Sequence, residues 1–366
     1  MDYRSISAAL TVGNVGPGKV LPGTGGKAKP VKLQRPAISK PDSAAPLWYA
    51  ALPSLLIWST FCLFAGAAAA GPAGSARALP LISSEIRRVA VFGNDDRTDL
   101  PAPKLEALGS KIGVLSVGKS NFCTAFCVAP DTIATASHCL HGTAEQAGPD
   151  LSEVTFNVGG TSLRQRSSSL AGSARTGFGR TIRAGTRALR TRPPIAAERD
   201  WAVARLSSPV CTAGGLPLSS LTREEIENRA TRNEIYEVGM HRDVSATRLL
   251  VSTPCAMARA FPQADEKTIA ADFANPRAIL FHTCDTGVGS SGGPLLYDGP
   301  SGPEVVGINV GTYVISPPAA NPSSVTQAGT KPASEAIANT AVPVERFRRA
   351  ISDFASAPTM IRADGP

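Results

Sequence analysis

A serine hydroxyl is a poor nucleophile near neutral pH; it needs a neighbouring base, and that base needs a partner that fixes its tautomer. In the stretch HTCDTGVGSSGGPLLYDG, His282 to Gly299, Ser290 and Ser291 stand among glycines and run directly into an apolar segment. Such a cluster is either a plain turn entering a strand or a loop shaped around a reactive hydroxyl at Ser291. The second reading demands one well-placed histidine and one well-placed carboxylate. The chain has four histidines. His138 lies in TIATASHCL, where Ala136, Ser137, His138 and Cys139 make a compact turn at a strand end, a position from which rigid scaffolds present functional side chains. His141 in the next loop and His241 in a polar turn read as ordinary surface or core residues, and His282 shortly precedes Cys284. Asp200, in ERDWAVARL, heads an alternating strand and can sit at the mouth of a barrel with Trp201, Val203 and Leu206 packed around it. Taken alone, it is a plain strand-start aspartate.

The elements that would carry these residues are short β-type runs separated by turn residues: KIGVLSV, FCVA, TIATAS, VTFNVG, WAVARL, IYEVGM, RLLVST, AILFHT and VVGINVGTYVI. Short strands at such spacing predict an all-β sandwich or barrel, and a composition poor in aromatics and rich in Gly and Pro agrees. The one helix the pattern predicts is the last, PVERFRRAISDF, with Val344, Phe347, Ile351 and Phe354 on one face. No internal repeat is visible.

Ahead of these runs, residues 1–43 form a basic, Pro/Gly-rich tail that reads as disordered. Residues 44–70 carry no charged side chain and end in small residues, as an export signal does, with an uncleaved membrane anchor as the alternative. Residues 71–88 read as a linker or pro-segment ending in Arg87–Arg88, residues 89–355 as the folded domain, and residues 356–366 as a tail. Losing the signal discards Cys62 and leaves six cysteines, an even number that suits disulfides in an exported chain. The net charge of +8 raises the question of a nucleic-acid partner. Much of that charge lies in the tail and in the Arg-rich stretch Arg164–Pro194, and no aromatic ladder or nucleic-acid module accompanies it. Nucleic acid is therefore excluded as a partner, and membrane contact is expected only through the N-terminal segment if it stays uncleaved. No carboxylate cluster demands a metal and no cofactor is implied.

TASHC, DWAVARL and GSSGGP, in the order His138, Asp200, Ser291, together resemble the trypsin-fold serine peptidases. CDT ahead of the serine and the leader VAVFGNDDRTDL are similar to their bacterial glutamyl-endopeptidase-like branch. The resemblance covers roughly residues 89–354 and implies two six-stranded antiparallel β-barrels with a C-terminal helix. It also implies a monomeric serine endopeptidase acting on protein or peptide. Ser291 would be the nucleophile, His138 the base, Asp200 its orienter, and the N–H groups of Gly289 and Ser291 the oxyanion hole. The same resemblance implies bridges Cys123–Cys139 and Cys255–Cys284; Cys127 and Cys211 are left over, as a third bridge or as buried thiols.

Departures from the family pattern bear on activation and specificity. Ser290 stands where animal trypsins place the aspartate that a new N-terminus neutralises, so cleavage is not expected to assemble the oxyanion hole through an ion pair. Asp285 occupies the register of the carboxylate that binds Lys or Arg in trypsins, and Thr286, Asn309, Val310 and Gly311 would line the same pocket. Asn309 takes the place of the histidine usual in glutamate-selective relatives, so the reading leans to a basic or small residue before the cut. A trypsin-fold binding protein without activity is the rival from another class. An α/β-hydrolase is excluded, because Pro294 and the following LLYDGPSG cannot continue as a helix after the serine and the chain order is wrong.

Overall fold

The computed structural model describes residues 83–87, 90–159, 166–172, 177–316 and 335–357. The proposed tail and export segment lie outside these residues. Among the described residues no helix is long and apolar enough to cross a membrane.

The described residues form two antiparallel sheets. The first is built from β3 (Ile112–Val117), β4 (Ser120–Ala129), β5 (Thr132–Thr135), β6 (Val154–Val158), β7 (Arg166–Ser169), β8 (Ile182–Ala184) and β9 (Ala202–Arg205). Its order is β7-β6-β3-β4-β5-β9-β8, and a bridge between Leu170 and Leu206 curls the β7 edge back towards β9. The second sheet contains β1 (Ser83–Arg87), β2 (Thr98–Asp99), β10 (Ile235–His241), β11 (Ser245–Ser252), β12 (Leu280–His282), β13 (Pro294–Gly299), β14 (Gly302–Ser316) and β15 (Glu335–Pro343). It runs β12-β15-β14-β13-β10-β11-β2, with β1 added on β14. A bridge between Met257 and His282 draws its two ends together. This is the architecture of a trypsin-like double β-barrel, with seven and eight strands rather than six apiece.

The strand patterns follow from burial. In β6, Val154, Phe156 and Val158 are buried while Thr155 and Asn157 face outward, the period of two that a half-buried sheet imposes. β9 and β10 are buried at every position, because both of their faces are covered. The β3–β4 hairpin closes between Val117 and Ser120, with Gly118 at φ +57° supplying the backbone that a two-residue turn needs.

Three short helices, α1 (Ala102–Leu108), α3 (Arg223–Ala230) and α4 (Glu266–Asp272), join the predicted last helix α5 (Arg348–Ser356) and the single turn α2 (His138–His141). At seven or eight residues α1, α3 and α4 are too brief for an apolar period to stand out. A local signal was nonetheless present for α3: Thr222 and Glu225 form a reciprocal capping box. In α5 and the turn before it, Val344, Phe347 and Ile351 are fully buried and Phe354 is partly so. The α5 carbonyl end is met by Arg205, which donates to the carbonyls of Phe354 at 2.7 Å and Ala357 at 2.5 Å while also holding Asp131. A buried guanidinium thus satisfies orphan helix carbonyls and ties α5 to β9.

Candidate active site

β5 and β9 pair antiparallel, with Thr135 opposite Ala202. The turn leaving β5 and the turn entering β9 therefore emerge side by side, and they carry His138 and Asp200. Asp200 does not head the strand itself; it closes a 3-10 turn, Ala197–Arg199, two residues before β9, and is fully buried. One carboxylate oxygen accepts the His138 backbone N–H at 2.8 Å, and the other lies 2.6 Å from His138 Nδ1. Two-point attachment fixes both the turn and the ring, and a carboxylate at Nδ1 leaves Nε2 as the basic nitrogen. Behind them, the Ser137 hydroxyl donates to the Thr186 carbonyl, and Trp201 lies against Gly185, where a Cβ would come within 2.5 Å of Nε1.

The Ser291 loop is clamped between the two sheets. Thr124 of β4 donates its N–H to the Ser291 carbonyl at 2.9 Å and its hydroxyl to the Gly289 carbonyl at 2.8 Å. From β14, Asn309 accepts the Gly292 N–H and donates to the Gly293 carbonyl, both at 2.8 Å, and its side-chain amide reaches Ser290 Oγ. Gly292 has φ +83°, and a Cβ there would lie 2.1 Å from Thr135 Oγ1 and 2.3 Å from the Thr124 carbonyl. Gly289 has φ +104°. With the Gly289 carbonyl turned into the core, the N–H groups of Gly289 and Ser291 have no acceptor among the described residues. His138, Gly289 and Ser291 line one cavity of about 280 Å³, walled also by Phe122 and the Cys123–Cys139 pair. The Ser291 hydroxyl donates to the Val310 carbonyl at 3.0 Å rather than to His138. Reaching the imidazole requires a change of χ1 rotamer, a rotation about one single bond.

Three disulfides brace this arrangement. Cys123–Cys139 joins β4 to the α2 turn that bears His138. Cys255–Cys284 holds the segment leading to Ser291, and Cys127–Cys211 links β4 to the loop after β9.

The residues expected to form a specificity pocket are all buried, and the Asp285 carboxylate is bonded within the chain. Its carboxylate oxygens accept the backbone N–H groups of Phe92 at 2.7 Å and Asp96 at 2.9 Å. It anchors the leader, with paired N–H donors at short range meeting its charge. Burial and the neighbouring Asp285 raise the pKa of Asp96. Thr286 donates its N–H to the Ala90 carbonyl, the Gly311 carbonyl accepts from Thr340 Oγ1, and Thr312 Oγ1 bonds to Asn339 Oδ1.

Two buried histidines lie outside these roles. His282 is fully buried, and burial pulls its pKa down to about 4 against the opposing influence of the Asn309 side chain and the Thr340 backbone. His241, read from sequence as a turn residue, lies fully buried in β10, its Nε2 3.0 Å from Glu237 Oε2. The other Glu237 oxygen points at Gly239 and Gly293, where a Cβ would lie 2.5 and 2.8 Å away. The signal was the strand period: Glu237, Gly239 and His241 share one face.

No curated protein matches the chain. Among solved structures, one described as a Glu endopeptidase in complex with MPD aligns over 72% of this chain and 100% of its own, at 16% identity and a TM-score of 0.42. Residues 107–328 match the family model described as Trypsin. That match spans more than half of the sequence, and the chain accordingly belongs to the trypsin family of serine peptidases.

Proposed function

We propose that the protein is an exported serine endopeptidase whose domain spans residues 89–355. Ser291 is the nucleophile, His138 the general base and then acid, and Asp200 the group that orients His138. The observation that carries this reading is the two-point hold of Asp200 on His138, which lines one cavity together with Ser291. When a peptide enters, Ser291 Oγ leaves the Val310 carbonyl and passes its proton to Nε2 as it attacks the scissile carbonyl. The developing oxyanion is met by the N–H groups of Gly289 and Ser291; each preorganised donor of this kind is worth about 3 kcal/mol at the transition state. His138 returns the proton to the leaving amine, and water repeats the sequence on the acyl-enzyme. Export is supported by three disulfides, which persist in oxidising compartments.

With Asp285 engaged by the leader, the other residues expected to line the pocket (Thr286, Asn309, Val310 and Gly311) are buried and uncharged. A small or uncharged residue before the cut therefore suits the site better than Lys or Arg. The test is cleavage of a mixed-sequence peptide library, read by mass spectrometry beside a Ser291→Ala control. Cuts that vanish in the control support the peptidase. The hydroxyl resting on Val310 favours one rival, a trypsin-fold binding protein without activity. That rival predicts no cuts and no labelling of Ser291 by a fluorophosphonate.

A further inference from the structure

The nucleophile loop ends where β13 begins, at Pro294 opposite Ile308 of β14. Asn309 continues this ladder to Gly292 and Gly293. From Val310 onward, therefore, β13 no longer covers that flank of β14, while β15 covers the other flank as far as Ile315. The uncovered flank starts at the residue whose carbonyl holds Ser291 Oγ and runs away from it. An extended peptide with its scissile bond at Ser291 would lay its acyl side along such an edge, because an unpaired strand edge is a template for another strand.

That edge is already taken, by the chain itself. β1 pairs antiparallel with it in the register Ser83–Ser316, Ser84–Ile315, Glu85–Val314, Ile86–Tyr313 and Arg87–Thr312. The other flank of β1 reaches the opposite sheet's loops: the Ile86 N–H donates to the Thr191 carbonyl at 2.9 Å, nine residues before Asp200. Beside it, a cavity of about 300 Å³ is lined by Glu85, Ile86, Thr191, His138 and Val310. β1 is thus bonded to both walls of the cleft, beside the proposed base. The segment 71–88, expected from sequence to be a linker or pro-segment, contains an ordered strand.

We propose that Ser83–Arg87 is an autoinhibitory strand that occupies the acyl-side substrate edge of β14 until the chain is cut at the Arg87–Arg88–Val89 link. The inference rests on the peptidase reading of the site. The cut is a hydrolysis: one peptide bond and one water give a carboxylate on the strand and an amine on the domain, and a peptidase selective for basic residues would perform it at the dibasic pair. The leader on the far side of the link is held independently, since Ala90 is bonded to Thr286, and Phe92 and Asp96 to Asp285. The oxyanion loop is likewise clamped by Thr124 and Asn309 rather than by a chain terminus. Cutting therefore releases the edge and leaves the site assembled.

The test uses the full chain and its Ile86→Pro variant, which loses the N–H given to Thr191. Peptide hydrolysis should rise tenfold or more in the variant, and a synthetic peptide of residues 81–88 should suppress that gain competitively. In parallel, hydrogen exchange is followed at the amides of Thr312–Ser316 in Ser291→Ala chains with and without Ile86→Pro. Faster exchange in the double variant supports the strand's hold on this edge. Equal hydrolysis by both active forms would overturn the inference while leaving the peptidase standing. If neither form hydrolyses peptide or takes a fluorophosphonate, the peptidase reading fails. Exchange alone then judges the strand, and unchanged exchange at Thr312–Ser316 overturns it.

Discussion

Asp200→Asn isolates the orientation of His138 from the rest of the site. The carboxylate makes two bonds to one residue, 2.8 Å from the backbone N–H and 2.6 Å from Nδ1. An asparagine keeps an oxygen for the backbone N–H, so the turn should hold its shape. Its amide nitrogen then meets Nδ1, and a donor facing Nδ1 forces that nitrogen to accept. The imidazole proton is driven to Nε2, the atom that must receive the serine proton. The loss is one charge-assisted bond, about 1.5–3 kcal/mol, together with the base itself. In a serine–histidine–aspartate triad the wrong tautomer costs on the order of 10⁴ in rate, about 5.5 kcal/mol at the transition state. The assay is kcat/KM on a peptide identified by the library screen, using the form that proves active, with unfolding measured in parallel. A folded variant that keeps more than about a tenth of the parent's kcat/KM would refute this role for Asp200.

Other outcomes follow from the same geometry. Gly292→Ala places a Cβ 2.1 Å from Thr135 Oγ1 at φ +83°; backbone strain of about 1–2 kcal/mol and overpacking of about 1–3 kcal/mol should destabilise the fold by about 2–5 kcal/mol in urea unfolding. A loss under about 1 kcal/mol would show that the loop shifts to admit the methyl. Burial pulls the pKa of folded His282 down to about 4, against 6.5 for an ordinary histidine. Because the folded form resists the proton, its contribution is intact above pH 6.5 and is lost as pH falls towards 4, roughly 3 kcal/mol over the window. His282→Leu should remove that share of the acid destabilisation, and an unchanged slope of stability against pH would sink the assignment. Asp285→Asn should loosen the leader, seen as faster hydrogen exchange at Phe92 and Asp96, while the residue preference before the cut stays the same. A parent that cuts after Lys or Arg and a variant that loses this preference would instead return Asp285 to the substrate pocket.

Much of this protein was legible in its residues. Each predicted β run falls in a strand, because alternation and turn residues are local properties that burial on a sheet enforces. TASHC, DWAVARL and GSSGGP marked the residues that the fold gathers, since strand ends and glycine turns leave a chemical signature in sequence. What escaped were relations between distant segments. Asp285 and the leader are bonded across nearly two hundred positions, so the register that suggested a substrate carboxylate could not reveal that two backbone N–H groups already satisfy it. Cys127 found Cys211 across 84 residues because β4 and the loop after β9 share one wall of the first barrel. The direction of the Ser291 hydroxyl and the edge that Ser83–Arg87 covers were likewise decided only in three dimensions. Sequence by itself determined which groups could act and which elements carry them, through periodicity and local backbone chemistry. Tertiary structure alone decided which of their hydrogen-bonding groups are already spent, because a donor or acceptor is used up by whatever the fold brings within about 3 Å of it.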